Sequence, residues 1–258
     1  MKTVILCGGR GTRFREETER KPKPMVELGD KPILWHIMKG FARYQINDFV
    51  LCLGYKAELI KEYFLNYEAM NSDFTVTLGD RSSIALHSQH DERGWRITLA
   101  DTGLDTMTGA RVKRVQRYVG SSTFMLTYGD GVSDVDLDGL LAFHRSHGRI
   151  GTVTGVRAPG RFGELGADGN RVASFMEKPE VSGGHINGGF FVFEPEFFDY
   201  LSAAESCILE RDPLERLARD GQLMLYKHEG FWQCMDTFRD YSYLTDLWTS
   251  GKAPWKSW

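Results

Sequence analysis

The chain has little of what marks secreted, membrane-spanning or nucleic-acid-binding proteins. It carries only four cysteines, Cys7, Cys52, Cys207 and Cys234, far apart and without a C-x-x-C pair. Nothing there suggests a disulfide framework, so reduced thiols are expected. Long apolar runs are missing too: Val4 to Cys7 is too short for a signal-peptide core, and nothing approaches the ~18 residues of a membrane span. A soluble, cytoplasmic protein is expected. With a net charge of −3 the chain lacks the basic excess of a general nucleic-acid binder, although a local basic pocket for a small phosphorylated ligand stays open. No internal repeat, low-complexity tract or linker rich in Pro, Ser or charge interrupts the 258 residues, and a single domain over 1–258 is expected.

What is present alternates short apolar strands with amphipathic helices. "KTVILC", "FVLCLG" and "TFMLTYGDG" read as buried strands; "FTVTL" and "WRITLA" are strand-like. Asp30 is expected to cap a helix with Pro32 in its first turn, continued by "ILWHIMKGFARY"; "AELIKEYFLNY" and a basic-faced "RVKRVQRYV" supply two more. After Arg149 the pattern becomes sheet-rich, through "IGTVTGV", "NRVASFMEKP", "GGFFVFEP" and "QLMLYKHEG", with helices near 195–204, 213–220 and 239–248. The fold class is α/β: a mainly parallel central sheet flanked by helices, with a sheet-rich second half.

The segment after the first strand, "LCGGRGTRFREETERKPKPM", concentrates three glycines, six basic residues and two prolines. A P-loop fails, because no Lys-Ser or Lys-Thr follows the glycines. A dinucleotide fingerprint fails as well, because Phe14 stands where the third glycine belongs and residues 15–24 look charged and proline-punctuated rather than helical. A loop wrapped around a nucleoside triphosphate remains, its glycines letting backbone N–H groups approach phosphate oxygens. Arg13 offers a bidentate phosphate ligand and a lysine a compact point charge, while Pro22 and Pro24 bias Lys21 and Lys23 towards extended backbone. A solvated basic loop is the bland alternative.

Other constellations carry less. "DVDLDG" at 134–139 begins like a calcium loop, but Arg145 stands where the closing acid belongs; its D-x-D also fits a glycosyltransferase, yet helix capping suits these acids better. His87-x-x-His90 and His144-x-x-His147 lack a third zinc ligand. "GGFFVF" and Phe197-Phe198 read as core. Asp130 ends an apolar strand, at the edge where open α/β sheets bind ligands; Asp236 lies in a second strand-to-helix transition. On spacing alone each is a turn residue.

In order along the chain, G-G-x-G-T-R, "KPKPM", "KPILWHIMK", "DTGLDTMTGARVKR", "TYGDG", "GRFGEL", "FMEKP", "INGGFFVF", "FWQCMDTFRDY" and "GKAPWKSW" resemble the sugar-1-phosphate nucleotidylyltransferases. The D-T-G-x-x-x-M-T-G-x-R segment and "KAPWK" resemble the branch that uses CTP. The resemblance implies a Rossmann-like nucleotidyltransferase fold, transfer of a cytidylyl group from CTP to glucose 1-phosphate, Mg²⁺ as cofactor, and a homo-oligomer. It assigns Arg13, Lys23 and Asp130 to catalysis and Asp130 and Asp236 to the metal. Leu6, Cys7, Gly8, Gly9, Arg10, Gly11, Thr12, Arg13, Lys23, Thr106, Arg111 and Gly129 would bind nucleotide; Gly163, Glu177, Lys178 and Asn187 would bind sugar phosphate. Residues 1–149 would form mainly the nucleotide-binding half, and 150–258 mainly the sugar-binding and oligomerisation half. Cys7, Arg10 and Ala110 depart from the family's usual Ala, Leu and Gly, and the extra charge at Arg10 is expected to alter base or phosphate preference. Thymidylyl or uridylyl transfer, and a non-catalytic subunit that binds nucleotide-sugar, stay open as alternatives. The tail, with Trp248, Trp255 and Trp258, is expected to pack on the domain or on a neighbouring subunit.

Overall fold

The computed structural model describes residues 1–12, 14–79, 84–87, 90–157, 164–168, 171–176 and 184–258. Seven strands form the central sheet: β1 (Lys2–Leu6), β2 (Asp48–Leu53), β3 (Arg96–Asp101), β4 (Phe124–Tyr128), β5 (Gly151–Val156), β6 (Ile186–Phe193) and β7 (Leu223–His228). Their spatial order is β7-β5-β6-β4-β1-β2-β3. All neighbours run parallel except at β6, which is antiparallel to both β4 and β5. From β1 the chain moves outwards through β2 and β3, then returns to place β4 on the other side of β1. The carboxyl ends of β1 and β4 therefore flank the point where strand order reverses, the crevice where such sheets take ligands. Leu6 lies level with Tyr128 there.

Alternation along β1 explains why both faces are covered. Ile5 joins Leu51, Met125 and Val192 beneath helix α1 (Ile33–Ala42), whereas Val4 and Leu6 join Val50, Leu126 and Phe191 on the opposite face. Phe190, Phe191, Phe193, Phe197 and Phe198 are buried, as the aromatic run suggested. Helix α2 (Ala57–Leu65) follows β2, α3 (Thr108–Arg114) precedes β4 and α4 (Leu137–His147) follows it; α5 (Asp212–Arg219) and α6 (Phe238–Thr249) lie near the C-terminus. Among the described residues no helix is long and apolar enough to cross a membrane.

Several local expectations need correction. Asp30 does not cap α1: residues Lys31–Pro32 pair with Glu27–Leu28, Pro32 takes the N-cap position, and no side chain caps the helix. Arg15–Thr18 form one helical turn, stabilised where Thr18 returns its N–H and hydroxyl to the Phe14 carbonyl. "FTVTL" is an exposed hairpin, Phe74–Val76 against Ile84–Leu86, outside the central sheet. Residues 195–204 hold only a 3₁₀ turn, Pro195–Tyr200. Asp136 sits at the N-cap of α4 without a side-chain cap bond, and Asp134 pairs with His228 at 3.0 Å. The histidine pairs find non-metal partners: His144 and His147 both bind the Thr152 hydroxyl at 2.7 Å, while His87 binds Thr75 and His90 binds Glu68.

The tail packs on its own chain. Trp255 is 2% exposed, and Trp35, Trp248, Trp255 and Trp258 surround the buried imidazole of His36. Gly29, at φ +72°, gives Trp248 room: a Cβ there would lie 2.1 Å from its indole nitrogen.

Candidate functional site

The glycine loop leaves the buried end of β1 at Cys7, whose N–H continues the sheet by donating to the Cys52 carbonyl at 3.0 Å. The Cys7 side chain is 1% exposed and burial holds its thiol well above the usual range, so only its backbone is available to a ligand. The loop carbonyls turn inwards. Gly8 O accepts from Tyr55 N–H at 3.2 Å and from Arg111 Nη2 at 3.1 Å; Gly11 O accepts from Phe14 N–H and the Thr18 hydroxyl. A trans peptide points its N–H opposite its C=O, so the Gly9 and Thr12 N–H groups face away from those partners. Gly9 and Thr12 are exposed.

Arg111 builds this loop from behind. It is 4% exposed, and its guanidinium donates through Nη1 to Leu53 O, Thr102 Oγ1 and Gly103 O, and through Nη2 to Gly8 O and Leu104 O, all within 3.1 Å. Burial lowers its pKa, although an arginine stays charged. Neither a solvated helix face nor a freely projecting phosphate ligand describes it. The neighbouring cations are engaged as well: Arg114 donates to Thr102 O and to the buried Thr106 hydroxyl, and Lys113 to Phe198 O. Only a glycine at position 8 clears the guanidinium, since a Cβ would lie 2.2 Å from Arg111 Nη1. Gly8→Ala is expected to lower stability by about 1–3 kcal/mol, read as a shift in urea midpoint. An unchanged midpoint would mean that the guanidinium moves aside freely.

Arg10, the departure from the family pattern, reaches across to Asp105 at 2.6 Å, with both side chains more than half exposed. Its charge is thereby directed to the opposite lip of the loop. Ala110 is tolerated, while Gly109 next to it is the tight position, 2.7 Å from Cys207 Sγ for an added Cβ.

Lys23 enters from a 3₁₀ turn, Lys23–Met25, rather than from extended backbone; Pro22 is extended and caps the turn. Pro24 then packs on Gly129, where an added Cβ would lie 2.8 Å from Leu6 O and 3.1 Å from Pro24. This close passage brings the Lys23 ammonium to Asp130 Oδ2 at 2.7 Å and Asp236 Oδ1 at 2.6 Å. Lys23 is 8% exposed; burial alone would lower its pKa, but the two carboxylates, Asp130 foremost, outweigh that and raise it. Lys21 turns away to Glu27, and Arg20 is exposed.

Asp236 is delivered by an antiparallel ribbon that pairs Trp232–Cys234 with Gly131–Ser133, closed by Met235 N–H donating to Asp130 O at 2.8 Å. Asp240 fixes the next turn: one carboxylate oxygen accepts from the N–H groups of Asp236 and Thr237 and from the Thr237 hydroxyl, completing a capping box at α6. Cys234 Sγ lies 3.8 Å from Asp236 Oδ2, its thiol pushed up to about 12 by burial.

Two carboxylates that share one ammonium also form a hard-oxygen pair suited to a divalent cation. Among the described residues no group of three or more His, Cys, Asp or Glu is arranged to hold a metal. A two-carboxylate set completed by substrate phosphate oxygens is how Mg²⁺ is commonly held, so the residues present fit that ion.

At the sheet edge beside Asp130, Asn187 donates to Tyr128 Oη at 3.2 Å. Arg13, Gly163, Glu177 and Lys178 lie outside the described residues. The structure thus brings together Leu6–Thr12, Lys23, Gly129, Asp130 and Asp236, with Arg111 supporting the loop from behind, while Thr106 accepts from Arg114. Sequence reasoning missed Asp240, although T-x-x-D just before α6 is a visible capping pattern.

The nucleotidyl transferase family model matches residues 2–248. The chain is 50% identical over 259 residues to the glucose-1-phosphate cytidylyltransferase of Salmonella typhi, with 100% of both chains covered. It is 44% identical over 258 residues to a probable glucose-1-phosphate cytidylyltransferase of Bacillus subtilis, again with 100% of both covered. Its fold is similar to that of a UDP-glucose pyrophosphorylase solved with UDP-glucose, at TM-score 0.69 and 14% identity, covering 97% of this chain and 98% of that one.

Proposed function

The chain belongs to the nucleotidyl transferase family, and from that premise we propose that it transfers the cytidylyl group of CTP to α-D-glucose 1-phosphate, giving CDP-glucose and pyrophosphate. The observation that carries this reading is the meeting of Lys23, Asp130 and Asp236 beside a glycine loop with outward N–H groups. The choice of CTP and glucose 1-phosphate follows from relatives matched over their whole length.

The attacking group is a phosphate oxygen of the sugar phosphate. A phosphate monoester has a second pKa near ~6, so this nucleophile is already ionised at neutral pH and needs no general base. The difficulty is charge: two anions must approach, and a third must leave. The Gly9 and Thr12 N–H groups would receive phosphate oxygens, with Arg10 and Gly11 shaping the loop between them. Lys23, kept protonated by its carboxylates, adds a fixed positive charge beside the reacting phosphate. Nucleotidyltransferases of this family generally use a divalent metal. We take it to be Mg²⁺, held by Asp130 and Asp236, and when bound it supplies positive charge to the triphosphate and the departing pyrophosphate. Arg13 would favour that departure, while Gly163, Glu177, Lys178 and Asn187 would orient the sugar phosphate. Residues 1–149 would then serve mainly the nucleotide and 150–258 mainly the sugar phosphate. A cytoplasmic homo-oligomer completes the proposal, with subunit number read by light scattering.

Comparing kcat/KM for CTP, UTP, dTTP and GTP with glucose 1-phosphate and Mg²⁺ tests the base. CTP is expected to lead by about 100-fold or more, because a base pocket rejects the wrong hydrogen-bond pattern by leaving buried groups unpaired. A lead for dTTP or UTP would move the chain to the other same-fold activity. Nucleotide binding without pyrophosphate release would mean a regulatory subunit.

A further inference from the structure

Tyr128 is the last residue of β4, directly before Gly129 and Asp130. Its hydroxyl donates to Glu210 Oε1 at 2.5 Å and accepts from Asn187 Nδ2 at 3.2 Å. Its ring lies flat enough on the next strand that a Cβ at Gly189 would be 2.4 Å from Tyr128 Cδ2; Gly189 has φ +79°. Asn187 is held at its other end too, since its Oδ1 accepts from Gly189 N–H at 2.9 Å. With Nδ2 on one partner and Oδ1 on another, the amide has one orientation, and it retains a second N–H and a second oxygen lone pair for a ligand. The remaining oxygen of Glu210 accepts from the Thr108 hydroxyl at 2.7 Å, at the start of the helix that carries Arg111. Burial, and then Glu210, hold the Tyr128 phenol well above its ordinary range, so it stays a donor at neutral pH.

We propose that Tyr128 and Glu210 are positioning residues that set the Asn187 amide for the sugar end of the substrate, and that Thr108 anchors this relay to the nucleotide-side helix. The proposal rests on the reading above that Asn187 faces the sugar phosphate. Neither residue needs to touch the reacting phosphorus. Glu210 is an exposed acid on a loop 82 positions from Tyr128, and its two oxygens are committed to Tyr128 and Thr108. Losing it frees the Tyr128 hydroxyl to turn, and with it the Asn187 amide. The CTP-side loop is built by other bonds, those of Arg111 and Thr18, and is left in place.

Tyr128→Phe keeps the ring on Gly189 and removes only the hydroxyl. It is expected to raise KM for glucose 1-phosphate about tenfold, with KM for CTP and kcat within about threefold. Glu210→Ala is expected to do the same, and Glu210→Gln, which keeps an acceptor for Tyr128, to recover most of the loss. The double variant Tyr128→Phe/Asn187→Ala is expected to be no worse than Asn187→Ala alone. Additive losses, or an equal rise in KM for CTP, would overturn the relay. Amide hydrogen exchange of the substrate-free protein supplies an independent reading. Gly189 N–H is expected to exchange about tenfold faster in Tyr128→Phe while strand β1 is unchanged, and an unaltered Gly189 rate would overturn the proposal. If the wild type makes no CDP-glucose, the functional reading falls, and the Gly189 exchange rate still decides the relay.

Discussion

Lys23→Met is expected to cut turnover roughly 10²–10³-fold and, in buffer containing EDTA, to weaken the fold as well. The first effect follows from removing a fixed positive charge beside the phosphate. The second follows from what is left behind: Asp130 and Asp236 approach the same ammonium at 2.7 and 2.6 Å, so without it two carboxylates face each other across its position. Removing one partner of a fully buried pair costs about 3–5 kcal/mol. These carboxylates are 29% and 18% exposed, so water screens part of the repulsion and a loss of about 1–3 kcal/mol is expected. Millimolar Mg²⁺ should restore stability to the variant far more than to the wild type, because a cation bound to the folded state stabilises it by mass action. Asp130→Asn is the complementary change. It removes one negative charge, leaves Lys23 paired with Asp236, and is expected to keep the fold while turnover drops about 10³-fold. Equal urea midpoints for wild type and Lys23→Met in EDTA would break the link between the two carboxylates and the lysine. Undiminished turnover in Asp130→Asn would remove that residue from the site.

The outline of this site was readable because its elements are local and strongly patterned. Apolar runs gave the seven strands of the sheet, and the glycines after β1 and the Gly-Asp after β4 marked the crevice between them. The approach of Asp236 to Asp130 depends on a three-residue ribbon, Trp232–Cys234 on Gly131–Ser133, too short to show periodicity; only the family resemblance joined the two acids. The buried setting of Arg111, which the resemblance assigned to the nucleotide, was illegible for a different reason. Helical spacing says which residues share a face, and a run of arginines and lysines suggests solvent. The actual environment is a ring of carbonyls from Gly8, just after β1, from Leu53 at the end of β2, and from Gly103 and Leu104, together with the Thr102 hydroxyl, none of which is near it in a helical wheel. Lys23 shows the same limit at shorter range. The bias of a pre-proline residue towards extended backbone was overridden by one 3₁₀ turn that buries both Lys23 and Pro24. Tyr128 and Glu210 left no signal at all, because a hydrogen bond between distant exposed and half-buried side chains has no sequence period.

Stability is expected to fall by about 2 kcal/mol between pH 7 and pH 5 on account of His36 alone. The imidazole is 1% exposed, its Nε2–H donating to Leu28 O at 2.9 Å and its Nδ1 accepting from Trp255 Nε1 at 3.5 Å. Both bonds use the neutral ring. Burial lowers its pKa to about 4 against partial opposition from the Leu28 carbonyl; Asp30 also favours the charged form and Lys256 opposes it. In the unfolded chain the same group titrates near ~6.5. Between those values the unfolded state binds the proton and the folded state does not, so protonation favours unfolding. The contribution is complete above pH ~6.5 and is lost progressively as the pH falls towards ~4, amounting to about 3 kcal/mol in all. His36→Gln keeps a donor and an acceptor but cannot titrate. It is expected to be less stable than wild type at pH 7, since the amide fills the cage of Trp35, Trp248, Trp255 and Trp258 less well. Carboxylates elsewhere titrate alike in both proteins and cancel in the difference. The gap in unfolding free energy should therefore shrink by about 2 kcal/mol from pH 7 to pH 5, and parallel curves would show that the ring is already protonated, or already wet, in the folded protein. Trp248 lies on α6, whose first turn holds the Asp236 backbone through Asp240, so the imidazole stabilises the far end of the helix that seats the second carboxylate.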